Sequence, residues 1–295
     1  MNAVDLALWN KLQSTQAAGN LSNGRWQAEL SLGFESQQGR SMLARRQHSG
    51  PLVIQKTLHP EGNAVCHGVV VHPPGGIAGG DHITLKATLG QSANALLTTP
   101  GATKWYKANG NAAHQYLDFT LDNAACLEWL PQENILFEGS QIALSANIQL
   151  AEASVYTGWE IVCFGRQAQQ ERWQTGRYQQ ALRIWRDQTL IWQECALLNP
   201  QHRLFDSRVG LYGNVVTGSF VVAAGHVPDH VLAACREVKL TGAAKFGVTA
   251  LPQIFSARYV GMSAPQAREY FEQLWQILRP WYAGREVTRP RIWNT

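Results

Sequence analysis

Charged residues are scarce in this 295-residue chain: Asp, Glu, Lys and Arg make up only 16% of it, whereas 45% is hydrophobic. Soluble domains typically carry about 25% charged residues. The composition excludes a disordered acidic or basic polymer, because such a chain combines high net charge with little apolar surface. It predicts instead a well-filled core and a surface so short of charge that partner proteins cover part of it.

The chain also lacks a block of basic residues. Its net charge is +4, with nine Lys and Arg against ten Asp and Glu in residues 1–150, and sixteen against eleven in residues 151–295. The basic excess is scattered Arg, whereas a nucleic-acid site concentrates Lys and Arg on one face. We therefore predict no nucleic-acid partner, and the scattered Arg residues favour a protein–protein interface.

Signals for disulfides, secretion and membrane insertion are missing as well. Five widely spaced cysteines without a C-x-x-C pair predict buried, reduced thiols. The N-terminus has an early Asp5, no basic region and no small-residue cleavage site, unlike a signal peptide. Residues 209–228 carry no charge, but their Gly, Asn and His content predicts a buried strand pair rather than a membrane span. We expect a cytoplasmic, soluble protein without a membrane partner.

Most of the chain places hydrophobic residues at every second position, which is typical of strands with one buried face. Gly, Asn, Asp or Pro separates most of these short runs. The predicted strands are 26–34, 51–58, 64–71, 83–89, 95–98, 114–121, 126–130, 142–150, 160–164, 178–185, 190–196 and 219–223. So many strands without helices between them predict a mainly β fold, as a sandwich, barrel or solenoid. No clean internal repeat decides for a solenoid.

Two helices are predicted near the C-terminus. In 263–279, Ser263 is a good N-cap, an apolar stripe follows at helical spacing, and Pro280 is expected to stop the helix. A shorter helix is predicted at 229–238. No Pro- or Ser-rich linker divides the chain, so we expect one β-rich domain over 21–295 and a helical or frayed tail over 1–20.

A run of prolines and glycines at 72–82 (HPPGGIAGGDH) lies between two predicted strands. The prolines favour extended backbone, and the glycines allow positive φ and close approach by another group. Phosphate loops normally open a helix, and neither the Walker nor the Rossmann spacing is present. A long shaped turn is therefore as good an interpretation as an anion site, and nucleotide binding through this loop remains an alternative.

The densest cluster of metal-ligand residue types falls in the same region, with Cys66, His67, His72, Asp81 and His82. Strand alternation places Cys66 and His72 on one face and His67 on the other, so the spacing predicts no tight tetrahedral site. Motifs for nucleophilic catalysis are absent from the sequence. A β-barrel metal-binding enzyme using His67, His72, Asp81 and His82 is kept as the alternative function.

Several carboxylates stand inside apolar, strand-like runs, where an unpaired charge is costly. They are Glu128, Glu133, Glu138, Glu160 and Glu194. Each can be a surface-facing alternate residue of its strand. If several instead face one interior, they create a polar lumen.

The chain resembles the urease accessory protein UreD (UreH) family in five segments that occur in the family's order. These are HPPGGIAGGD at 72–81, LTTPGATKWY at 97–106, LEWLPQE with ILFEG at 127–139, GWEIVCFGR at 158–166, and RPRIW at 289–293. The resemblance covers about residues 20–295. It implies a β-rich fold that is helical in path, a solenoid-like stack of short strands with a few peripheral helices.

The family resemblance implies a non-catalytic scaffold in urease maturation. It implies that the chain bridges the urease apoprotein to UreF and the GTPase UreG, and helps deliver nickel to the urease active site through an internal polar route. No tightly bound cofactor is expected, only transient Ni²⁺. The expected partners are UreF, UreG and the urease structural subunits.

A nickel relay needs weak, exchangeable ligands, because Ni²⁺ stands near the top of the divalent affinity order and a thiolate and imidazole cage would retain it. The relay hypothesis therefore assigns oxygen ligands first. They are Asp81, Glu160 and Glu194, with Glu128, Glu133 and Glu138 in reserve and His67, His72 and His82 assisting transiently. The C-terminal region is predicted to help dock UreF, through Arg279, Trp281, Arg285, Arg289, Arg291 and Trp293.

Overall fold

The computed structural model describes residues 26–294. The tail predicted over 1–20 lies outside the described residues. Two sheets of seven and eleven strands make up most of the structure, which confirms the mainly β prediction. The strands are β1 (Gln27–Gln37), β2 (Arg40–Ser49), β3 (Val53–Ile54), β4 (Cys66–Val71), β5 (Gly76–Ile77), β6 (His82–Leu89), β7 (Asn94–Thr98), β8 (Thr103–Trp105), β9 (Ala113–Leu121), β10 (Cys126–Trp129), β11 (Asn134–Leu136), β12 (Gln141–Leu150), β13 (Val155–Phe164), β14 (Arg177–Arg186), β15 (Thr189–Leu198), β16 (Val216–Ala223), β17 (Lys245–Ala250) and β18 (Phe255–Gly261).

The chain winds as a solenoid, alternating between the two sheets. Strands β1, β6, β9, β12 and β14 lie parallel in the seven-stranded sheet, and β4, β7, β10 and β13 lie parallel in the larger one. One coil advances the register by 32 residues from His82 to His114, but by 36 residues from Gln141 to Arg177. The solenoid-like path implied by the family resemblance is confirmed, and the unequal coils explain why the sequence shows no repeat.

Antiparallel strands close both ends of this stack. Strands β2 and β15 flank the smaller sheet, while β16, β18 and β17 extend the larger one beyond β13. Both sheets keep free edges, so the barrel kept as an alternative is wrong. One hydrophobic core lies between the sheets, and a second lies between the larger sheet and the helices.

The strands of three successive coils break at the same level of the larger sheet. Proline occupies each break, with Pro73 and Pro74 between β4 and β5, Pro100 between β7 and β8, and Pro131 between β10 and β11. Proline donates no backbone hydrogen bond, so it interrupts a ladder of paired strands. Strand β13 runs past the level of the breaks unbroken and pairs with both β10 and β11.

Two helices pack on the outer face of the larger sheet: α1 (Asp229–Arg236) and α2 (Ala264–Ala283). Ser263 caps α2 through a hydrogen bond from the Gln266 backbone N–H to its hydroxyl, as predicted. The prediction that Pro280 stops the helix is wrong. Proline removes only one donor this close to the end, so the last turn continues to a Gly284 cap at a φ of +63°.

The structure corrects the prediction for residues 209–228. They contain one strand, β16, preceded by turns, instead of a strand pair. The predicted strand at 51–58 shrinks to β3. Strands β2 and β17 were not predicted, because both are exposed along much of their length and therefore show no clear alternation.

Candidate functional site

A cavity of about 340 Å³ lies between the sheets at the level of the proline breaks. The broken strands of the larger sheet leave a gap there, and β6 and β9 of the smaller sheet form the opposite wall. The polar lining includes His72, Thr99, Lys104, Gln115, Gln132, Asn134 and Glu160. The apolar lining includes Leu52, Ile77, Ile83, Leu85, Leu117 and Trp129. Four of the five segments that carry the family resemblance thus contribute to the walls of one chamber.

Two polar atoms of the chamber lining have no hydrogen-bond partner. They are Nε2 of His72 and Nε2 of Gln132, and Gln132 is only 5% exposed. Burial lowers the pKa of His72, and the nearby Asp81 carboxylate opposes this effect. Buried polar groups normally have partners, so unpaired groups that line a roomy cavity point to an exchangeable occupant.

Glu160 lies at the inner end of the chamber on the unbroken strand β13. The Tyr178 hydroxyl is 3.2 Å from its carboxylate oxygen and 2.8 Å from the side-chain oxygen of Gln180, so its single proton is donated to one of the two at a time. Burial raises the pKa of Glu160 to about 7, the hydrogen bond from Tyr178 lowers it, and the Glu194 charge adds to the rise. A carboxyl group in this state exchanges a proton readily near neutral pH.

A second, smaller cavity of about 40 Å³ adjoins the chamber at Glu160. We call the two cavities together the passage. Both cavities are lined by Gln115, Leu117, Trp129 and Glu160, and the smaller one reaches Ser219. Glu160 pairs in register with Ser219 across β13 and β16. The interior is therefore polar along one line that runs from the proline breaks toward the antiparallel end of the solenoid.

Glu194 continues this line from strand β15. The Ser219 hydroxyl lies 3.1 Å from both of its carboxylate oxygens, and Trp192 donates to one of them at 2.9 Å. Arg258 forms a bidentate ion pair with the carboxylate at 2.7 and 3.0 Å. Glu194 is only 8% exposed, whereas Arg258 is 52% exposed, so the guanidinium separates the carboxylate from solvent.

Asp81, the third carboxylate assigned first to the relay, has a structural role at a turn. Its two oxygens accept hydrogen bonds from the backbone N–H groups of Trp26 and Ala78, at 3.0 and 2.8 Å. It is 7% exposed and is absent from the lining of both cavities. Its influence on the chamber is electrostatic and acts through the neighbouring His72.

Glu128 lies on the opposite face of its strand, beneath α2. Arg279 binds its carboxylate at 2.9 to 3.2 Å, and Trp275 and Tyr282 donate to it at 2.7 and 2.5 Å. Arg279 also binds Glu61 at 2.8 Å, and Glu61 is 2.5 Å from His67. This buried network fastens the helix to the sheet, which removes Glu128 and His67 from the chamber.

The other predicted ligands also have contacts outside the chamber. Glu138 accepts hydrogen bonds from the backbone N–H groups of Gln174 and Thr175, and Glu133 lies 3.7 Å from Arg268 of α2. His82 stacks on His114 with ring centroids 4.6 Å apart. Among residues 26–294, no three His, Cys, Asp or Glu side chains are placed to hold a metal ion. The metalloenzyme alternative thus lacks its ligand set.

The loop at 72–82, which the nucleotide-binding alternative would use, is not followed by a helix. Residues 72–82 lead into strands β5 and β6, so no helix N-terminus is available to a phosphate. Gly76 has a packing role instead, because a Cβ there would lie 2.3 Å from the Tyr106 ring.

Within residues 26–294, no helix is both long and apolar enough to cross a membrane.

The predicted docking residues divide into buried and accessible ones. Arg279 is 1% exposed and Trp293 is 8% exposed, so direct partner contact through these two side chains does not fit their positions. Arg289 and Arg291 are exposed, and Trp281 and Arg285 are partly exposed. Of these residues, Trp281 lines an apolar groove between α1 and α2, together with His230, Val231, Ala234, Ile277 and Pro280.

Sequence reasoning missed the polar residues that surround the two carboxylates: Gln115, Gln132, Tyr178, Ser219 and Arg258. Gln115 falls at a position of β9 where strand alternation calls for an inward residue, so a polar residue at a predicted core position was an available signal. Ser219 and Arg258 gave no comparable signal. They join the polar line only through the pairing of β16 with β18, which the sequence does not reveal.

The pH dependence of stability should report on Glu160. Its pKa rises from 4.5 to about 7 on folding, so its stabilising contribution is complete below pH 4.5 and is lost as the pH rises through 7. Glu160→Gln should remove this dependence, worth about 1–3 kcal/mol at 1.36 kcal/mol per pKa unit for a partly buried group. Urea unfolding of both proteins at pH 5 and 8 measures the change.

Glu194, Tyr156 and Tyr178 are the other titratable groups around Glu160, and burial keeps the pKa of both tyrosines high. Exposed Glu152 supplies the control, since Glu152→Gln should retain the wild-type pH profile. An unchanged profile in Glu160→Gln would contradict the assignment.

These features define a class of protein: a two-sheet β-solenoid with helices on one face and two adjoining, partly polar cavities between its sheets. The family described as UreD urease accessory protein matches residues 27–294. The chain belongs to this family, which confirms the resemblance found in its sequence.

Curated relatives agree over nearly the whole chain. A urease accessory protein UreD of Methylobacillus flagellatus is 57% identical over 271 residues, covering 92% of this chain and 95% of the relative. The UreD proteins of Dechloromonas aromatica and an Azoarcus species are 44% and 45% identical. Each alignment covers 92% of this chain, with 95% and 94% of the respective relative.

Proposed function

We propose that this chain is a non-catalytic accessory protein of urease maturation that passes Ni²⁺ through its interior. The observation that carries the proposal is the line from the 340 Å³ chamber past Glu160 and Ser219 to Glu194. It runs between the two sheets, where an apolar core would otherwise be continuous. The names of its relatives associate the family with urease.

The chemistry of this line suits transfer better than storage. Its candidate ligands are carboxylate, hydroxyl and amide oxygens, which bind Ni²⁺ more weakly than thiolates and imidazoles do. Even micromolar affinity corresponds to about 8 kcal/mol, so a relay site must offer few strong ligands at once. Ser219 pairs with Glu160 across the larger sheet and lies 3.1 Å from Glu194 of the smaller sheet, so it links the two carboxylates and gives an ion a step between them.

Scaffolding is the second part of the proposal. The chain bridges the urease apoprotein to UreF and the GTPase UreG in the cytoplasm. The C-terminal region supplies a surface for UreF, with exposed Arg289 and Arg291 and with Trp281 in the apolar groove of α1 and α2. Aromatic and Arg side chains next to an apolar groove are the usual composition of binding hot spots.

Co-expression with the urease subunits, UreF and UreG tests delivery and bridging separately. The double variant Glu160→Gln with Glu194→Gln removes both carboxyl groups from the passage while keeping similar side-chain size. We expect urease activation at limiting nickel to fall roughly tenfold or more, because each lost charge–cation attraction is worth at least about 1.4 kcal/mol in a poorly solvated passage. Pull-down of UreF should be unchanged, since neither residue belongs to the C-terminal surface.

Glu152→Gln is the matched control, because this exposed Glu lies outside both cavities. It should activate urease as the wild type does. Full activation by the double variant, with a normal pull-down, would refute nickel transfer along this line. Loss of the pull-down in that variant would mean that the charges serve the scaffold instead.

A further inference from the structure

Arg258 is the feature of the passage that neither the sequence motifs nor a relay of acidic ligands explains. It holds both oxygens of Glu194, at 2.7 and 3.0 Å, where the polar line meets the surface. A fixed cation on a carboxylate repels a second cation. A permanent pair here would close the passage and leave Glu194 without a role in transfer.

The register of three strands places Arg258 on the line itself. Glu160 pairs with Ser219, Ser219 pairs with Arg258, and Arg258 pairs with Gly247 on the edge strand β17. Ser219 is the hydroxyl that contacts Glu194. The order from the interior outward is thus a carboxyl, a hydroxyl, a carboxylate and a guanidinium.

The surroundings of Arg258 leave it free to move. Its side chain is 52% exposed, and within residues 26–294 its side-chain hydrogen bond and ion pair are both with Glu194. A Cβ added to Gly247, the neighbouring position on β17, would have no atom within 4 Å. The guanidinium can therefore leave Glu194 for solvent without disturbing the core. Arg279 makes the contrast, since it is 1% exposed and is held by two carboxylates.

We propose that Arg258 is a displaceable counter-ion that occupies Glu194 until a divalent cation arrives and exchanges with it. The inference rests on the proposed transfer function and gives Arg258 a positioning role in it. In the empty protein the Arg258 guanidinium holds the Glu194 carboxylate in place. It also weakens metal binding, because each arriving ion must first displace the guanidinium, so the ion is released more readily.

Independent support comes from the other end of the passage. Gln132 lines the chamber and is only 5% exposed, and its Nε2 has no hydrogen-bond partner. This unpaired group points to an occupant that is exchanged, such as water around a hydrated ion. The inner end thus receives an ion in a polar chamber, and the outer end holds a cation that must be exchanged for it.

Equilibrium dialysis of the purified full-length chain against Ni²⁺ tests the exchange directly. Arg258→Gln should bind Ni²⁺ roughly tenfold more tightly than the wild type, because Glu194 then has no competing cation. Arg258→Lys should fall between them, since an ammonium keeps the charge but loses the bidentate geometry. The double variant Arg258→Gln with Glu194→Gln should lose the gain. Structural damage would weaken binding, so a gain that depends on Glu194 identifies the exchange.

Arg166→Gln is the control, because Arg166 forms a comparable bidentate pair with Glu171, at 2.7 and 2.8 Å, away from both cavities. Unchanged or weaker Ni²⁺ binding by folded Arg258→Gln would overturn the counter-ion role, and circular dichroism melting establishes that the variant is folded. If Arg258→Gln did not fold, unchanged binding by Arg258→Lys would overturn the role in its place. Failure of the transfer proposal looks different, because Glu160→Gln with Glu194→Gln would then activate urease fully whatever the dialysis shows.

Discussion

Arg279→Leu should lower the free energy of unfolding by about 3–5 kcal/mol, the cost of leaving a buried charge without its partner. Glu128 would lose three hydrogen bonds of 2.9 to 3.2 Å, and Glu61 would lose its bonds of 2.8 Å. Trp275 and Tyr282 would remain as neutral donors to Glu128, and His67 would remain beside Glu61, but no guanidinium would bridge the two carboxylates. Urea unfolding followed by tryptophan fluorescence measures the loss.

Arg289→Leu is the matched control, because the same residue type pairs there with Glu272 at 2.7 Å but is 39% exposed. Exposed pairs are worth about 1 kcal/mol or less, so its effect should be several-fold smaller. Equal losses in the two variants would show that burial does not strengthen the Arg279 network. If Arg279→Leu also weakens UreF binding, the structure attributes the effect to the placement of α2, since the Arg279 side chain is buried.

Strand alternation predicted the body of the solenoid well, because each of those strands has one face in the core between the sheets. The observed β6, β9, β12 and β14 begin and end within one residue of the predicted runs. Strand β2 escaped detection because its last six residues, 44–49, are all exposed. Alternation appears only where one face of a strand is buried, so such an edge strand carries no pattern.

The topology was beyond the reach of local patterns. Parallel pairing joins residues about thirty positions apart, and the coils differ in length, so no repeat marks the partners. The family resemblance supplied the helical path, and the register confirms it. The level at which three strands break was visible in the sequence as prolines, yet only the register shows that the breaks coincide.

Carboxylates within apolar runs of the sequence predicted only some of the residues on the polar line. Glu160 and Glu194 lie on the polar line, whereas Glu128 carries the same sequence pattern and lies under α2. Its partner Arg279 is 151 residues away, and no local pattern links the two. Asp81 and Glu138 are likewise engaged by backbone N–H groups that only the folded turns supply.

Gln115→Trp should block the passage and lower urease activation at limiting nickel roughly tenfold or more, the effect of raising a transfer barrier by at least about 1.4 kcal/mol. Gln115 lines both cavities, so an indole there would occupy the junction beside Glu160. The chamber of about 340 Å³ leaves room for the larger ring, so the stability cost should stay within the 1–3 kcal/mol typical of overpacking. Activation assays and UreF pull-downs on the same co-expressed samples measure the result.

The neighbouring Tyr116→Trp provides the control, because strand alternation directs residue 116 to the other face of β9, away from both cavities. It introduces the same indole one position along and should leave activation unchanged. Equal activation by the two variants, with both folded and both binding UreF, would exclude the chamber as the path of the ion. A defect specific to Gln115→Trp would separate transfer from scaffolding, because the obstruction adds no charge and changes no residue of the C-terminal surface.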